Sequence, residues 1–127
     1  MTESDTVLVV DDEQDLADLY SAFLAPDYDV LVAYDGQAAV EKMNDRIDVV
    51  LLDRRMPGMS GDEVLEHIRS QYPNCMVAFV TGIDPADDIS TRDFDMYLQK
   101  PAQGEELRGA VETLLRRQSF GHQEQTM

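Results

Sequence analysis

The feature of this sequence that most constrains its fold is an alternation of short apolar runs with longer segments of helical periodicity. Five runs consist mostly of apolar residues, and each is long enough for one strand: 7–10, 30–33, 47–52, 76–80 and 96–98. A strand without polar positions is typical of a sheet that is covered on both faces. Because strands that alternate with helices form βαβ units, the sequence predicts an α/β fold, a doubly wound five-stranded parallel sheet with helices on both faces.

The segments between these runs carry helix boundary signals. Pro26 would end the first helix, and Ser60 and Glu63 have the spacing of a capping box that opens the third. Further helices are predicted over 37–44 and about 103–117. The first helix should bury one apolar stripe, which consists of Leu16, Leu19, Tyr20, Phe23 and Leu24.

The chain is strongly acidic, with 26 aspartates and glutamates against ten lysines and arginines and a formal net charge of −16. An anionic surface repels phosphate groups, so we expect no direct binding of this segment to nucleic acid or to an anionic membrane. Repulsion among the charges weakens in molar salt, which favours a halophilic protein from a salt-rich cytoplasm. An ordinary acidic regulatory domain is the alternative, and a melting series in KCl distinguishes the two.

Cysteine content and hydropathy exclude further classes of protein. The single cysteine, Cys75, excludes an internal disulfide framework and a cysteine-rich metal site. The chain has no apolar run of the roughly 18 residues that a membrane-spanning helix needs, and its first residues are acidic rather than basic. We therefore expect a cytoplasmic protein.

Chemically useful residues follow four of the five predicted strands. Carboxyl ends of parallel strands meet at one edge of a sheet, which is where ligands bind in open α/β folds. The residues just past those ends should therefore lie close together. In chain order they are Asp11, Asp12, Asp53, Thr81, Gly82, Lys100 and Pro101.

Three carboxylates at one edge would repel one another strongly unless a cation lay among Asp11, Asp12 and Asp53. Ligands that are all oxygen suit Mg²⁺ or Mn²⁺ rather than zinc. Lys100 adds a second positive charge, and the Thr81 hydroxyl with the N–H groups near it could bind a tetrahedral anion. This combination predicts the transfer of a phosphoryl group to a carboxylate.

The same residues form a pattern that resembles the receiver domains of two-component response regulators. The pattern consists of Asp11-Asp12, Asp53 followed by Met56-Pro57 and Gly61, Thr81-Gly82, and the run from Tyr97 to Pro101. The resemblance implies a flavodoxin-like sheet with the strand order 2-1-3-4-5. We expect a disordered segment at 1–5, a receiver domain at 6–117, and a polar tail or the start of a linker at 118–127.

The resemblance also implies which residues accept the phosphoryl group and bind the metal. Asp53 would be the phosphoacceptor and would contribute a ligand to Mg²⁺ or Mn²⁺. Asp12 would bind the ion directly and Asp11 through water. The backbone carbonyl of Arg55 would be the remaining protein ligand.

Three further residues would respond to phosphorylation in a protein of this family. Lys100 would pair with the phosphoryl oxygens, and Thr81 would move to hydrogen-bond one of them. Tyr97 would rotate from an outward to an inward position. Pro101 would follow a cis peptide bond.

The function implied by this resemblance is signal reception. A sensor histidine kinase would supply the phosphoryl group, and the domain would then slowly hydrolyse its own aspartyl phosphate without turning over an external substrate. Output would pass to a C-terminal effector domain or a protein target, and a dimer that forms on phosphorylation is compatible with this. The alternatives are a degenerate receiver that acts only in docking and a Mg²⁺-dependent phosphatase with an aspartyl-phosphate intermediate.

Each site residue also has a purely structural interpretation. Asp11 and Asp12 could cap the first helix, Asp53 could be a turn residue, and Lys100 could be a surface charge. Tyr97 could be a half-buried core tyrosine instead of a switch.

Two features depart from the common receiver pattern. Arg54 and Arg55 directly follow the acceptor, and our hypothesis is that Arg55 reaches over the acidic pocket and alters water access to the acyl phosphate; the alternative is two solvated arginines. The interval from Thr81 to Lys100 is about three residues shorter than usual, which predicts a shortened, weakly packed and mobile fourth helix. Both features resemble haloarchaeal regulators that carry a HalX domain after the receiver.

Overall fold

The computed structural model describes residues 4–82 and 94–125, with side chains as far as Ser119. Within those ranges the five predicted apolar runs are strands, and each strand end lies within one residue of its predicted position. The elements in chain order are β1 (Thr6–Val10), α1 (Gln14–Leu24), β2 (Asp29–Ala33), α2 (Gly36–Lys42), β3 (Ile47–Leu52), α3 (Gly61–Gln71), β4 (Met76–Thr81), β5 (Met96–Gln99) and α4 (Gly104–Gln125).

The strands form one parallel sheet in the order β2-β1-β3-β4-β5. The predicted class, strand direction and strand order are therefore confirmed. The register aligns Val10 at the end of β1 with Leu52 at the end of β3, and Thr81 at the end of β4 with Gln99 at the end of β5. This alignment brings the residues that follow the strands to one edge of the sheet.

The central strands β1, β3 and β4 are buried on both faces, as their apolar runs predict, whereas the edge strands β2 and β5 are partly exposed. In β3, Val50 and Leu52 pack into the core beneath α2 and α3, whereas Val49 and Leu51 pack into the core beneath α1 and α4. Each fully buried valine or leucine contributes roughly 1.5–3 kcal/mol relative to an exposed one. The central strands thus form a rigid support for the loops at their ends.

The start of α3 is held directly against the segment that follows β3. Ser60 and Glu63 form the predicted capping box, in which each side chain accepts a hydrogen bond from the backbone N–H of the other. Gly61 is required here because a Cβ at this position would lie 2.3 Å from the carbonyl oxygen of Asp53. The Gly61 N–H also donates to the carbonyl of Arg54 at 2.7 Å.

The apolar stripe predicted for α1 is wrong at one position. Leu19 is 62 % exposed, whereas the buried residues of this helix are Ala17, Tyr20 and Leu24. Leu19 lies about 160° around the helix from Ala17, so it faces away from the sheet. Leu16 and Phe23 lie at the margin of the buried stripe and are partly buried.

The last helix is longer than the sequence predicts. We expected it to end near Arg117, but α4 continues to Gln125. The Gln118 amide donates to the carbonyls of Asp48 and Asn74 at 3.4 and 2.9 Å, which ties this turn to the amino end of the sheet. Whether 118–127 leads into a linker stays a prediction.

Other expectations fall partly outside the described residues. The shortened fourth helix was predicted within 83–93, which the structure does not describe. Of the segment predicted to be disordered, residues 1–3 also lie outside, but the Asp5 carbonyl accepts a hydrogen bond from the N–H of Asp29 at 3.0 Å. Asp5 therefore takes part in the pairing of β1 with β2. Among the described helices, none has the length and apolar character needed to cross a lipid bilayer.

Candidate functional site

Asp11, Asp12 and Asp53 meet at the carboxyl edge of the sheet, as predicted. Each offers a carboxylate oxygen, and the three oxygens lie within 4.8 Å of one another. Asp11 and Asp53 are buried, whereas Asp12 is exposed. The backbone fixes this arrangement because the N–H of Asp53 donates to the Val10 carbonyl at 2.9 Å, which continues the pairing of β1 and β3 past their ends.

Lys100 extends into the same cluster from the end of β5. Its Nζ lies 2.7 Å from Oδ2 of Asp11 and 3.3 Å from Oδ2 of Asp53, and 3.8 Å from a carboxylate oxygen of exposed Glu13. The Lys100 N–H donates to the carbonyl of Thr81 at 2.8 Å, which holds the ends of β4 and β5 together. The peptide bond between Lys100 and Pro101 is cis, as expected. Lys100 therefore belongs to the carboxylate cluster and is not an isolated surface charge.

The pKa values of both Asp53 and Lys100 are shifted upward in the cluster. Burial raises the pKa of Asp53 above its usual value; the Lys100 ammonium opposes this, and the charge of Asp11 adds to it. Burial by itself would lower the pKa of Lys100, but its hydrogen bond to Asp11 and the charge of Asp53 raise it. One ammonium thus stays protonated among three carboxylates and does not balance them.

The Thr81 side chain also contacts Asp53. It ends β4, is 1 % exposed, and its hydroxyl hydrogen-bonds the Asp53 carboxylate. Gly82, the next residue, is exposed. The carboxylate of Asp53 therefore has an ammonium and a hydroxyl beside it, contributed by two different strands.

Helix capping does not explain the two adjacent aspartates. The N-cap of α1 is Glu13, which makes no capping hydrogen bond with its own side chain. Asp11 accepts a hydrogen bond from the Glu13 N–H at 2.9 Å, but its other carboxylate oxygen contacts Lys100. Asp12 lies before the helix, with its side chain exposed. Both residues are thus available to the site.

The two arginines after Asp53 differ from each other. Arg55 is exposed and, in the part of the chain that the structure describes, forms no ion pair with the three aspartates. Arg54 is 3 % exposed and pairs with Asp62, so the interpretation as two solvated arginines is wrong for Arg54. Sequence reasoning missed its burial, although position 54 continues the alternation that buries Val50 and Leu52 on the same face.

Tyr97 is half-buried in an aromatic cluster beside the site. Its ring centroid lies 6.0 Å from that of Phe79 and 5.5 Å from that of Phe94, with the rings edge to face. Phe79 is fully buried in β4, two residues before Thr81. This position is compatible with a switch and with a core residue, so both interpretations of Tyr97 stand.

Comparisons with known proteins agree on one family. The response regulator receiver domain matches residues 7–112. A putative transcriptional regulator of Haloferax volcanii is 47 % identical over 115 residues, which are 90 % of this chain and 20 % of the relative. The transcriptional regulatory protein YrkP of Bacillus subtilis is 39 % identical over 87 % of this chain and 49 % of its own length. The chain thus spans from a fifth to about half of the length of these relatives.

Solved structures show the same fold. The response regulator TrrA of Thermotoga maritima, solved in complex with Mg²⁺-BeF, superposes with a TM-score of 0.78 and 33 % identity over 87 % of this chain and 99 % of that one. The receiver domain of a putative Luxo repressor protein from Vibrio parahaemolyticus superposes with a TM-score of 0.82 and 26 % identity, covering 94 % of this chain and 96 % of that one.

Proposed function

The chain belongs to the family of response regulator receiver domains, and on that premise we propose that Asp53 is the aspartate that accepts the phosphoryl group. The observation that supports this choice is the set of groups around its carboxylate. Lys100 and Thr81 contact Asp53 from two neighbouring strands, and Asp11 and Asp12 place two further carboxylates within 4.8 Å. In receivers of two-component systems, such an aspartate is phosphorylated.

The donor set fits a Mg²⁺ ion. Three carboxylate oxygens lie within 4.8 Å of one another, and Lys100 places one positive charge beside them. Asp12 and Asp53 would bind the ion directly, Asp11 through water, and the backbone carbonyl of Arg55 would complete the protein ligands. Mn²⁺ would suit the same oxygens. When bound, the ion would neutralise charge on the transferring phosphoryl oxygens.

The reaction at Asp53 is a substitution at phosphorus. A carboxylate oxygen of Asp53 attacks the phosphorus of a phosphohistidine on a sensor kinase, the P–N bond breaks, and the imidazole nitrogen keeps the electron pair. Lys100 lies 3.3 Å from the Asp53 carboxylate and would pair with the new phosphoryl oxygens. Later attack by water releases phosphate and restores the carboxylate, so no external substrate is turned over.

The response to phosphorylation begins at the ends of β4 and β5. A phosphoryl group adds about one further negative charge and strong hydrogen-bond acceptors where one carboxylate stood. Thr81 and Lys100 would bond it, and the hydrogen bond between their backbones would make the two loops move together. Tyr97 would follow into an inward position, which shifts the population of conformations on the surface of β5 and α4.

The partners proposed are a sensor histidine kinase and an effector. The relatives are longer regulators, which favours a C-terminal effector domain in the whole protein, although a separate protein target would use the same surface. A dimer that forms on phosphorylation is a further proposal, as is a cytoplasmic location in a halophilic cell. With a net charge of −16, this segment itself should not bind nucleic acid or membranes.

Acetyl phosphate with Mg²⁺, followed by intact-mass measurement, tests the proposal. A single labile adduct of one phosphoryl group is expected, absent in Asp53→Asn and retained in Asp45→Asn, a matched change at an exposed aspartate outside the cluster. The absence of any adduct would favour the docking module. Turnover of external phosphoesters would favour the phosphatase instead.

A further inference from the structure

Arg54 has an environment that phosphoryl transfer by itself does not require. It directly follows the acceptor in sequence, yet its side chain is buried on the opposite face of the sheet from α1 and α4. Its Nε lies 2.9 Å from Oδ1 of Asp62 and its Nη2 3.3 Å from Oδ2, so the pairing is two-pronged. Asp62 lies in the first turn of α3 and is partly exposed. This orientation of the guanidinium is therefore fixed from the helix.

A second neighbour of the Arg54 guanidinium among the described residues is an aromatic ring. Its Cζ lies 5.3 Å from the ring centroid of Phe79, within the range of a cation–π interaction. Burial of a charge costs free energy, and an apolar residue of similar volume in the same position often gives an equally stable protein. An arginine held in this position thus calls for an explanation beyond the filling of the core.

Phe79 connects Arg54 to Tyr97. The Phe79 ring contacts Tyr97 edge to face, and its centroid lies 5.5 Å from that of Phe94. The Phe94 ring also contacts Tyr97 edge to face. Side chains in direct contact therefore lead from the residue next to the phosphoacceptor to β5. The path is separate from the one through Thr81 and Lys100, because it runs through the core beneath α3.

We propose that Arg54 is a positioning residue for Tyr97: Asp62 orients its guanidinium on Phe79, and Phe79 in turn sets the place of Tyr97. Arg54 thereby determines how fully the phosphorylation of Asp53 is passed to β5. This inference rests on the proposed function of Asp53 and concerns the response, not the transfer step.

The test follows Tyr97 by fluorine NMR after incorporation of 3-fluorotyrosine. The chain has five tyrosines and no tryptophan, and Tyr97→Phe identifies the resonance. Acetyl phosphate with Mg²⁺ should displace this resonance in the wild type. In Arg54→Met, which removes the cation and keeps an unbranched side chain, the displacement should fall by at least half at an equal phosphorylated fraction, measured by intact mass.

Three further variants sharpen the result. Asp62→Asn keeps the shape of the partner without its charge and should reduce the displacement in the same direction. Arg46→Met removes an exposed arginine that precedes β3, at the opposite end of that strand from Arg54, and should leave the displacement at the wild-type value. If Arg54→Met does not fold, Arg54→Lys, which keeps the charge without the planar fork, takes its place with the same expectation.

The outcomes separate this inference from the proposed function. An unchanged Tyr97 displacement in the Arg54 variant, with only a lower melting temperature, would assign Arg54 a structural role and overturn the inference. An equal loss in Arg46→Met would overturn it as well. A wild-type protein that acquires no adduct would instead refute the role of Asp53.

Discussion

The two ends of the sheet differ in how their charged side chains are paired. At the amino end, the Asp95 carboxylate accepts hydrogen bonds from Arg69 and from the Val77 N–H, and Arg117 donates to its carbonyl at 3.0 Å. At the carboxyl end, two carboxylates, those of Asp11 and Asp53, contact the single ammonium group of Lys100. Charges that the chain balances serve to hold elements together, whereas charges left in excess can bind a cation or receive a phosphoryl group.

The strongest test of this contrast removes the cation that contacts Asp11 and Asp53. Lys100→Met should slow phosphorylation by acetyl phosphate about 100-fold, because a positioned charge that stabilises the transferring group is lost. The same change should tighten Mg²⁺ binding, since the ammonium no longer repels the ion. Time courses by intact mass and Mg²⁺ titrations would measure the two effects. Weaker Mg²⁺ binding in the variant would contradict an excess of negative charge there.

The matching change at the amino end should act on stability alone. Arg69→Met breaks the pairing with Asp95 and should lower the free energy of unfolding by about 2 kcal/mol, as is typical for hydrogen bonds to charged groups that are only partly exposed. Urea unfolding measures the loss. The phosphorylation rate should be unchanged, and a large decrease would show that the two ends are not independent.

Salt should stabilise the chain as a whole and weaken the ion pair at its amino end. From low salt to molar KCl the melting temperature should rise by about 5 °C, because screening relieves repulsion in a chain with a net charge of −16. The cost of Arg69→Met should shrink over the same range, since its ion pair is screened as well. A melting temperature that does not respond to KCl would refute the halophilic interpretation.

The smallest expected effect concerns Gln118. Gln118→Ala removes hydrogen bonds to the carbonyls of Asp48 and Asn74 and should cost about 1 kcal/mol. Burial raises the pKa of the neighbouring Cys75 to about 12. At pH 8 only about one thiol in ten thousand is then ionised, so alkylation of Cys75 reports opening of this end. Alkylation should be faster in the variant, and an equal rate would show that Gln118 does not secure the helix.

The parts of the molecule that could be predicted from sequence are those governed by local pattern. Apolar runs specify strands, and the residues after parallel strands share an edge, which is why Asp11, Asp53 and Lys100 could be placed together. The prediction that Leu19 is buried was wrong because five large apolar residues fit one stripe of α1, whereas the buried face of this helix is centred on the small residue Ala17.

The features that sequence reasoning missed depend on partners in other elements of the fold. The burial of Arg54 depends on Asp62 and on Phe79, which come from another helix and another strand. The extension of α4 is secured where Gln118 meets Asn74, 44 residues away in sequence. The alternation through Val50 and Leu52 signals the inward direction of Arg54, but no local spacing signals its partners, because these contacts arise only after the elements pack.

The length of α4 gives the molecule a mechanical lever. Its 22 residues correspond to a rod of about 33 Å, and the hydrogen bond from Arg117 to the carbonyl of Asp95 fastens it at the residue that precedes β5. Roughly 12 Å of helix extend past that hydrogen bond, so a tilt of α4 by about 10° would move its far end by about 2 Å. A displacement of β5 too small to alter the core could thus become a motion that a neighbouring domain would register.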